Sequence, residues 1–333
     1  MTKTIKELGE RGLLQLFRPY CSDRIGDDAA LMGATLPDCE MVVTTDILID
    51  GVHFSEKTTS PEDAGWRAAA ANLSDLAAMG AEPWGVVISV GLPPDTPVAW
   101  IEGVYRGFTD CLHLFGTELV GGDTVRSPVL TLAVTAFGQV HKHRIIQRHT
   151  AKVGDVILTT GQHGLSKAGL ELLLHPELSE KLQNGISSIS IEDTIAKLHA
   201  AHQRPIPKLD VPPLLGKLLE SHPPFHSPFP ISGMDSSDGL ADAIAQICRA
   251  SGVGAKLDWQ AISIPESIHQ LAGDRALDWV LYGGEDFELV LCLPLTLAQA
   301  LLQELPHAAI VGEIIAERNL GGLDMHHTFQ HFI

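Results

Sequence analysis

Apolar and polar positions along this chain follow two different periods. Ile5 to Phe17 spaces its apolar residues as a short amphipathic helix does. Met41-Val42-Val43-Thr44-Thr45-Asp46 is rich in β-branched residues instead. It reads as a strand whose polar end delivers Thr44, Thr45 and Asp46 to one edge of a sheet. Asp50-Gly51-Val52-His53-Phe54 follows as a turn. Pro61 to Met79 predicts an alanine-rich helix with Gly80 as its stop. Gly85 to Leu92 predicts a buried strand, and Pro97 to Phe115 a helix with proline near its start. Glu118 to Thr124 reads as a short strand running into a glycine turn, and Val129 to Val140 as another strand.

His141 to Val153 is basic and polar, and the domain boundary is placed there. Beyond it, Asp155 to Thr160 predicts a strand, Gly164 to Leu174 a helix, His175 to Ile191 a loop, and Glu192 to His202 a helix. Ser221 to Ser232 carries several prolines and reads as a surface excursion. Gly233-Met234-Asp235-Ser236-Ser237-Asp238-Gly239-Leu240 opens a helix through Ala250, with Ser236 or Ser237 as N-cap. Gly254 to Trp259, the end of Tyr282 to Val290, and Ala308 to Ile315 predict three more strands. Both halves mix helices and strands. The expected fold class is therefore α/β in two domains, 1–142 and 143–333.

The stretch Asn72 to Gly80 stands out within this pattern. Ala68 to Ala71 leave one side of its helix with almost no bulk, so another backbone can approach. Asn72 and Asp75 are three apart and share a face. Asp75 is either an ordinary solvated helix residue or a carboxylate fixed to hold a cation.

Composition narrows the chemistry. A net charge of -18 argues against a nucleic-acid or anionic-membrane surface, since both need clustered Lys and Arg. Met1 to Glu7 lacks the apolar core of a signal peptide, and no apolar run reaches membrane-spanning length. Five scattered cysteines without a CxxC fit a reduced, cytoplasmic protein. His326, His327 and His331 have no partner cysteines in a zinc-like spacing and read as surface or packing residues.

Acidic residues recur in turns and at element ends: Asp27-Asp28, Asp46, Asp75, Asp123, Asp235 with Asp238, and Glu285. If they converge they repel, at about 4 kcal/mol for each pair roughly 4 Å apart at an effective dielectric near 20. Cations between them would relieve that cost. The donor set is oxygen-only, with the Thr44 and Thr45 hydroxyls added, and suits Mg²⁺ beside phosphates. Walker, protein-kinase and dinucleotide glycine motifs are absent, as are GxSxG and HExxH.

Six stretches together resemble the thiamine-monophosphate kinases of the aminoimidazole ribonucleotide synthetase-like superfamily. They are Ile25-Gly26-Asp27-Asp28-Ala29-Ala30, Thr44-Thr45-Asp46 with Gly51-Val52-His53-Phe54, Asn72 to Gly80, Gly121-Gly122-Asp123-Thr124, Asp235 to Leu240, and Gly283-Gly284-Glu285-Asp286. They occur in that family's order and run through most of the chain. The resemblance implies an N-terminal domain that binds ATP and Mg²⁺ and dimerises by its sheet, and a C-terminal α/β domain closing the cleft. It implies transfer of phosphate from ATP to thiamine monophosphate, in a homodimer, without nucleic acid or membrane. By motif, Asp28, Thr44, Thr45, Asp46, Asp75, Asp123, Asp235 and Asp238 are implied Mg²⁺ ligands, with Asp46 and Asp75 the most critical. Tyr105, Gly122, Asp123, Arg148 and Ser237 are implied ATP contacts; Tyr105 is otherwise a core tyrosine and Arg148 a solvated linker residue. His53, Glu285 and Phe329 are implied to line the thiamine phosphate pocket. No general base is expected. The competing readings are another ATP-using enzyme of the superfamily and an inactive regulator that binds Mg²⁺ and nucleotide. The former lacks support: Cys21 has no glycine-rich setting, the chain ends in Phe332-Ile333 rather than Cys, and Val52-His53-Phe54 stands where a glycine- and lysine-containing stretch is expected.

Overall fold

The computed structural model describes residues 4–23, 32–184, 190–221 and 231–327. The chain forms two compact units. One comprises residues 1–76 and 81–140, the other residues 77–80 and 141–333.

The first unit contains α1 (Ile5–Phe17), β1 (Cys39–Ile49), α2 (Pro61–Ala78), β2 (Glu82–Leu92), α3 (Val98–Leu114), β3 (Leu119–Arg126) and β4 (Thr131–His141). A capping box between Thr4 and Glu7 starts α1, and Gly9 interrupts its helical backbone. The sheet order is β1-β4-β2-β3. Strand β2 pairs antiparallel with β4 and parallel with β3. Along β4, Leu132, Val134, Ala136 and Val140 are buried at alternate positions, as the two-residue period requires.

Helix α2 explains its own alanines. Ala68, Ala69 and Ala70 are fully buried together with Leu73 and Leu76. The close neighbour is α3. A Cβ on Gly65 would stand 1.9 Å from the Val104 carbonyl oxygen, and one on Gly107 would stand 1.8 Å from that of Glu62. The two helix backbones touch where neither carries a side chain. The small residues of α2 thus serve a helix pair, as well as any approach of strand ends.

The second unit contains β5 (Val156–Thr159), α4 (Leu165–Leu174), α5 (Ile191–Gln203), α6 (Val211–Ser221), β6 (Ser232–Asp235), α7 (Leu240–Ser251), β7 (Gly254–Leu257), α8 (Glu266–Ala272), α9 (Ala276–Tyr282), β8 (Leu289–Leu293), α10 (Leu295–Glu304) and β9 (Ala309–Ile315). Its sheet runs β6-β8-β5-β9-β7, and every pairing is antiparallel. Both faces are covered. Ile157, Val290 and Cys292 point into a core with α7 and α9, whereas Leu158, Leu289, Leu291 and Leu293 point into a second core with α6 and α10. Strand β8 is consequently buried at every position and shows no alternation in sequence.

Several elements depart from expectation. Helix α6 carries Pro212 and Pro213, which its first turn tolerates because those amides have no helical acceptor. Helices α8, α9 and α10 are additional. Ser232–Asp235 is a strand, and α7 starts only at Leu240, with Gly239 as N-cap and no side-chain cap. The Ser236 and Ser237 hydroxyls bond elsewhere. Pro176–Asn184 forms 3₁₀ turns inside the expected loop.

Candidate active site

In the first unit, two regular elements bring Thr44 and Asp75 together. Strand β1 turns Thr44, Asp46 and Leu48 to one face and Met41, Val43, Thr45 and Ile47 to the other. Helix α2 lies on the first of these faces: the Thr44 hydroxyl donates a hydrogen bond to Asp75 Oδ2. Asp46 shares that face by register. The Thr45 hydroxyl does not. It donates to the Val134 carbonyl at 2.8 Å and accepts from the Thr135 hydroxyl at 3.3 Å on the open side of the sheet. Asn72, one turn before Asp75, is fully buried; its amide donates to the Ala68 carbonyl at 3.0 Å, while Oδ1 has no hydrogen-bond partner among the described residues.

Asp123 lies exposed on the edge strand β3 and accepts from the Thr124 amide at 2.8 Å. Beside it, a Cβ on Gly122 would stand 2.4 Å from the Ile88 carbonyl oxygen, so the paired sheet itself demands this glycine. His53 Nδ1 accepts from the Ile49 amide at 3.1 Å, which in the neutral ring leaves Nε2 as the donor. Arg67 secures the same turn. It is 2% exposed and donates to the His53 carbonyl at 3.2 Å. Nothing in the sequence pattern pointed to Arg67, because a charged residue inside a helix ordinarily faces water.

Tyr105 is buried on α3. Its ring is 3% exposed and stacks on Phe17 at a centroid distance of 3.9 Å. Burial, with Cys21 adding, raises the phenol far above its usual range. Its place on the inner face of α3 makes the ring part of the core.

In the second unit, Asp235 ends β6 at 2% exposure, and Ser237 donates to its Oδ1 at 3.1 Å. Asp238, three residues after Asp235, is exposed. The Glu285 amide donates to the Ser237 carbonyl at 2.7 Å, so the two motifs are tied by backbone. Arg148 donates to Gln246 Oε1 at 2.7 Å, and Gln246 donates in turn to Asp242 at 2.5 Å.

Around these residues lies a buried polar network that sequence reasoning missed. His163 Nε2 and the Ser236 hydroxyl are 3.0 Å apart. Burial pushes the imidazole down to about 4, so it is neutral at pH 7. Glu288 is 7% exposed, pairs with Lys208 Nζ at 2.9 Å and accepts from Thr160 at 2.6 Å. Asp286 accepts from the Gly164 and Ser166 amides at 2.6 and 2.8 Å. Desolvation nevertheless pushes its carboxyl up to about 7, with Glu288 and Glu285 adding repulsion against the two amides. Of this network, Ser236 and Asp286 belong to motifs the sequence displayed.

Asp27, Asp28 and Phe329 lie outside the described residues. Among the described residues, no group of three or more His, Cys, Asp or Glu side chains gathers to hold a metal. The donors that do meet, the Thr44 hydroxyl and the Asp75 carboxylate, are hard oxygens of the kind Mg²⁺ takes.

Comparison with known proteins fits this arrangement. The family model for AIR synthase related protein, N-terminal domain, matches residues 26–140, and that for the C-terminal domain matches residues 152–324. A thiamine-monophosphate kinase of Synechococcus elongatus is 46% identical, covering 99% of this chain and 98% of its own. The crystal structure of thiamine-monophosphate kinase from Stenotrophomonas maltophilia superposes with a TM-score of 0.76 at 32% identity, over 92% of this chain and 94% of that one. A structure described as AaThiL complexed with AMPPCP and TMP gives 0.74 at 27% identity and covers both chains fully. The chain belongs to the AIR synthase related proteins and, among them, to the thiamine-monophosphate kinases.

Proposed function

We propose that the protein transfers the γ-phosphoryl group of ATP to thiamine monophosphate, giving ADP and thiamine diphosphate, the last step in making that cofactor. The observation that carries this reading is the Thr44–Asp75 hydrogen bond on the face shared with Asp46. It supports an oxygen-rich metal site in a chain whose relatives are named for this reaction. The acceptor is a phosphate monoester with a second pKa of about 6, so it is already anionic at neutral pH and needs no general base. The difficulty is bringing two polyanions together. Mg²⁺, when bound, supplies charge neutralisation and alignment for in-line transfer. Asp28, Thr44, Asp46, Asp75 and Asp123 in the first unit, and Asp235 and Asp238 in the second, are the ligands assigned to it. Thr45 is left out of the assignment, since its hydroxyl is engaged on the other face. Thr44 orients the Asp75 carboxylate. Gly122, Arg148 and Ser237 are the ATP contacts assigned, with Arg148 held in place by Gln246. The thiazolium ring is cationic, and Glu285, with 35% of its side chain exposed, offers it a carboxylate. His53 and Phe329 complete the assigned substrate contacts.

A coupled assay with ATP, Mg²⁺ and thiamine monophosphate tests the reading. Asp75→Asn is expected to lower kcat by about 10²–10³-fold or more, as removal of a group that holds transition-state charge does, with the circular dichroism spectrum unchanged. Calorimetric binding of ATP and Mg²⁺ by the wild type without turnover would favour the regulator instead.

The second partner proposed is another copy of the chain. Met41, Val43 and Ile47 are each more than half exposed on one face of β1, an apolar stripe that a monomer would leave in water. A cytoplasmic location is proposed from the scattered cysteines; no helix among the described residues is long and apolar enough to cross a membrane. Val43→Asp is expected to shift sedimentation from dimer to monomer. An unchanged dimer would remove this face from the interface.

A further inference from the structure

We propose that Asp286 is a positioning residue: its carboxylate, fixed to two backbone amides at the start of α4, holds the adjoining Glu285 in the conformation that presents its side chain to the substrate. This rests on the reading of Glu285 as a substrate contact.

The backbone around Asp286 is unusual. Glu285 has φ of 66° and Phe287 has φ of 50°, so Asp286 lies between two non-glycine residues in the left-handed region. Among the described residues only Asp38 shares that property. Such a conformation costs free energy and persists only where the surroundings hold it. Here three anchors are visible. The Glu285 amide donates to the Ser237 carbonyl at 2.7 Å. The Phe287 ring is 5% exposed. Between them, both Asp286 oxygens are engaged, Oδ2 by the Gly164 amide and Oδ1 by the Ser166 amide. Those amides belong to the cap and first turn of α4, where no helical carbonyl can accept from them.

A second path joins the same residues through side chains. The Ser166 hydroxyl lies 3.1 Å from His202 Nδ1, and that nitrogen lies 3.8 Å from Glu285 Oε2. His202 is 3% exposed. Ser166 therefore receives Asp286 with its backbone and sets the imidazole that faces Glu285 with its hydroxyl. Glu285 is fixed from its backbone and from one side of its carboxylate, and 35% of its side chain is exposed. A helix cap alone would explain the two amide bonds. It would leave unexplained why the strained backbone flanks the capping residue on both sides.

The test compares Asp286→Ala, Asp286→Asn and Glu285→Ala with the double variant Glu285→Ala/Asp286→Ala, each checked for folding by circular dichroism. Asp286→Ala should raise KM for thiamine monophosphate about tenfold while leaving kcat and KM for ATP within about twofold. Asp286→Asn, which keeps one acceptor oxygen and serves if the alanine variant does not fold, should fall between. In the Glu285→Ala background, Asp286→Ala should change that KM less than about twofold, because coupled residues are not additive. Hydrogen exchange of the Gly164, Ser166 and Glu285 amides should quicken in Asp286→Ala and Asp286→Asn. If the KM effect is as large without Glu285 as with it, or if exchange quickens with KM unchanged, Asp286 is a helix cap and the inference fails alone. If Glu285→Ala leaves KM unchanged, the substrate-site reading fails and takes the inference with it.

Discussion

The two units fix their acids in different ways. In the first, Thr44 and Asp46 stand on a strand and Asp75 on a helix, and the periods 2 and 3.6 are enough to turn them to one face. In the second, Asp235 ends a four-residue strand, and Asp238, Glu285 and Asp286 stand on irregular backbone. Their places are set by hydrogen bonds to distant residues: Glu285 to Ser237, Asp286 to Gly164 and Ser166, and Glu288 to Thr160 and Lys208. Periodic elements locate a carboxylate without strain, because their own backbone bonds are already made. A loop has no such internal ladder, and it must bury polar groups to reach the same definition. The difference predicts that the second unit's site depends on protonation states within its network, whereas the first unit's site depends on side-chain register.

The larger of the two effects concerns pH. His163 has its pKa pushed down to about 4 by burial from an ordinary value of 6.5. Between those values the unfolded chain takes a proton and the folded one does not, so stability present above pH 6.5 is lost as pH falls towards 4, by about 3 kcal/mol. Asp286 has the opposite sign. Its carboxyl is raised from 3.8 to about 7, so its contribution is present at low pH and is lost as pH rises through 7. The two slopes oppose one another in one window. Urea unfolding of the wild type from pH 4 to 7 should therefore show a shallower profile than either variant. His163→Gln should become more stable relative to wild type as pH falls, and Asp286→Asn should become more stable relative to wild type as pH rises. A profile that neither variant alters would mean that the network does not hold these protonation states, and the contrast between the units would lose its basis.

The same contrast explains what could be read from the chain beforehand. Helix α2 and strand β1 were legible because their apolar spacing and small residues are local properties, and Asp46 and Asp75 came with them. Tyr105 kept two readings, ATP contact and core tyrosine, because a position along α3 does not say which face of the helix it occupies. The stacking of its ring on Phe17 decides that. Thr45 went with Thr44 by adjacency, although neighbours on a strand face opposite ways. Strand β8 was read only at its start because a sheet covered on both faces removes alternation, and helix α6 was obscure because prolines stood in its first turn. The network of His163, Thr160, Lys208 and Glu288 was illegible for a plainer reason. His163 meets Ser236 across 73 residues and Thr160 meets Glu288 across 128, and no local pattern marks such pairs.

The smaller effect separates Thr44 from Thr45 and bears on register in the first unit. Thr44→Val removes the donor that orients Asp75 while keeping the β-branched shape the strand prefers. It should raise the Mg²⁺ concentration needed for half-maximal rate by about tenfold, the scale on which loss of an outer partner weakens a metal site. Thr45→Val removes a hydroxyl that bonds the Val134 carbonyl on the open face. It should cost about 1 kcal/mol of stability or less, the net worth of one such hydrogen bond, and leave the Mg²⁺ requirement unchanged, since that hydroxyl stands on the face away from Asp75. Both readings come from Mg²⁺ titrations of the rate alongside urea unfolding. Equal shifts in Mg²⁺ requirement for the two variants would show that face does not matter on β1. A shift for Thr45→Val alone would place the metal on the open side of the sheet, away from Asp75, and would undo the reading of α2 as the wall of the site.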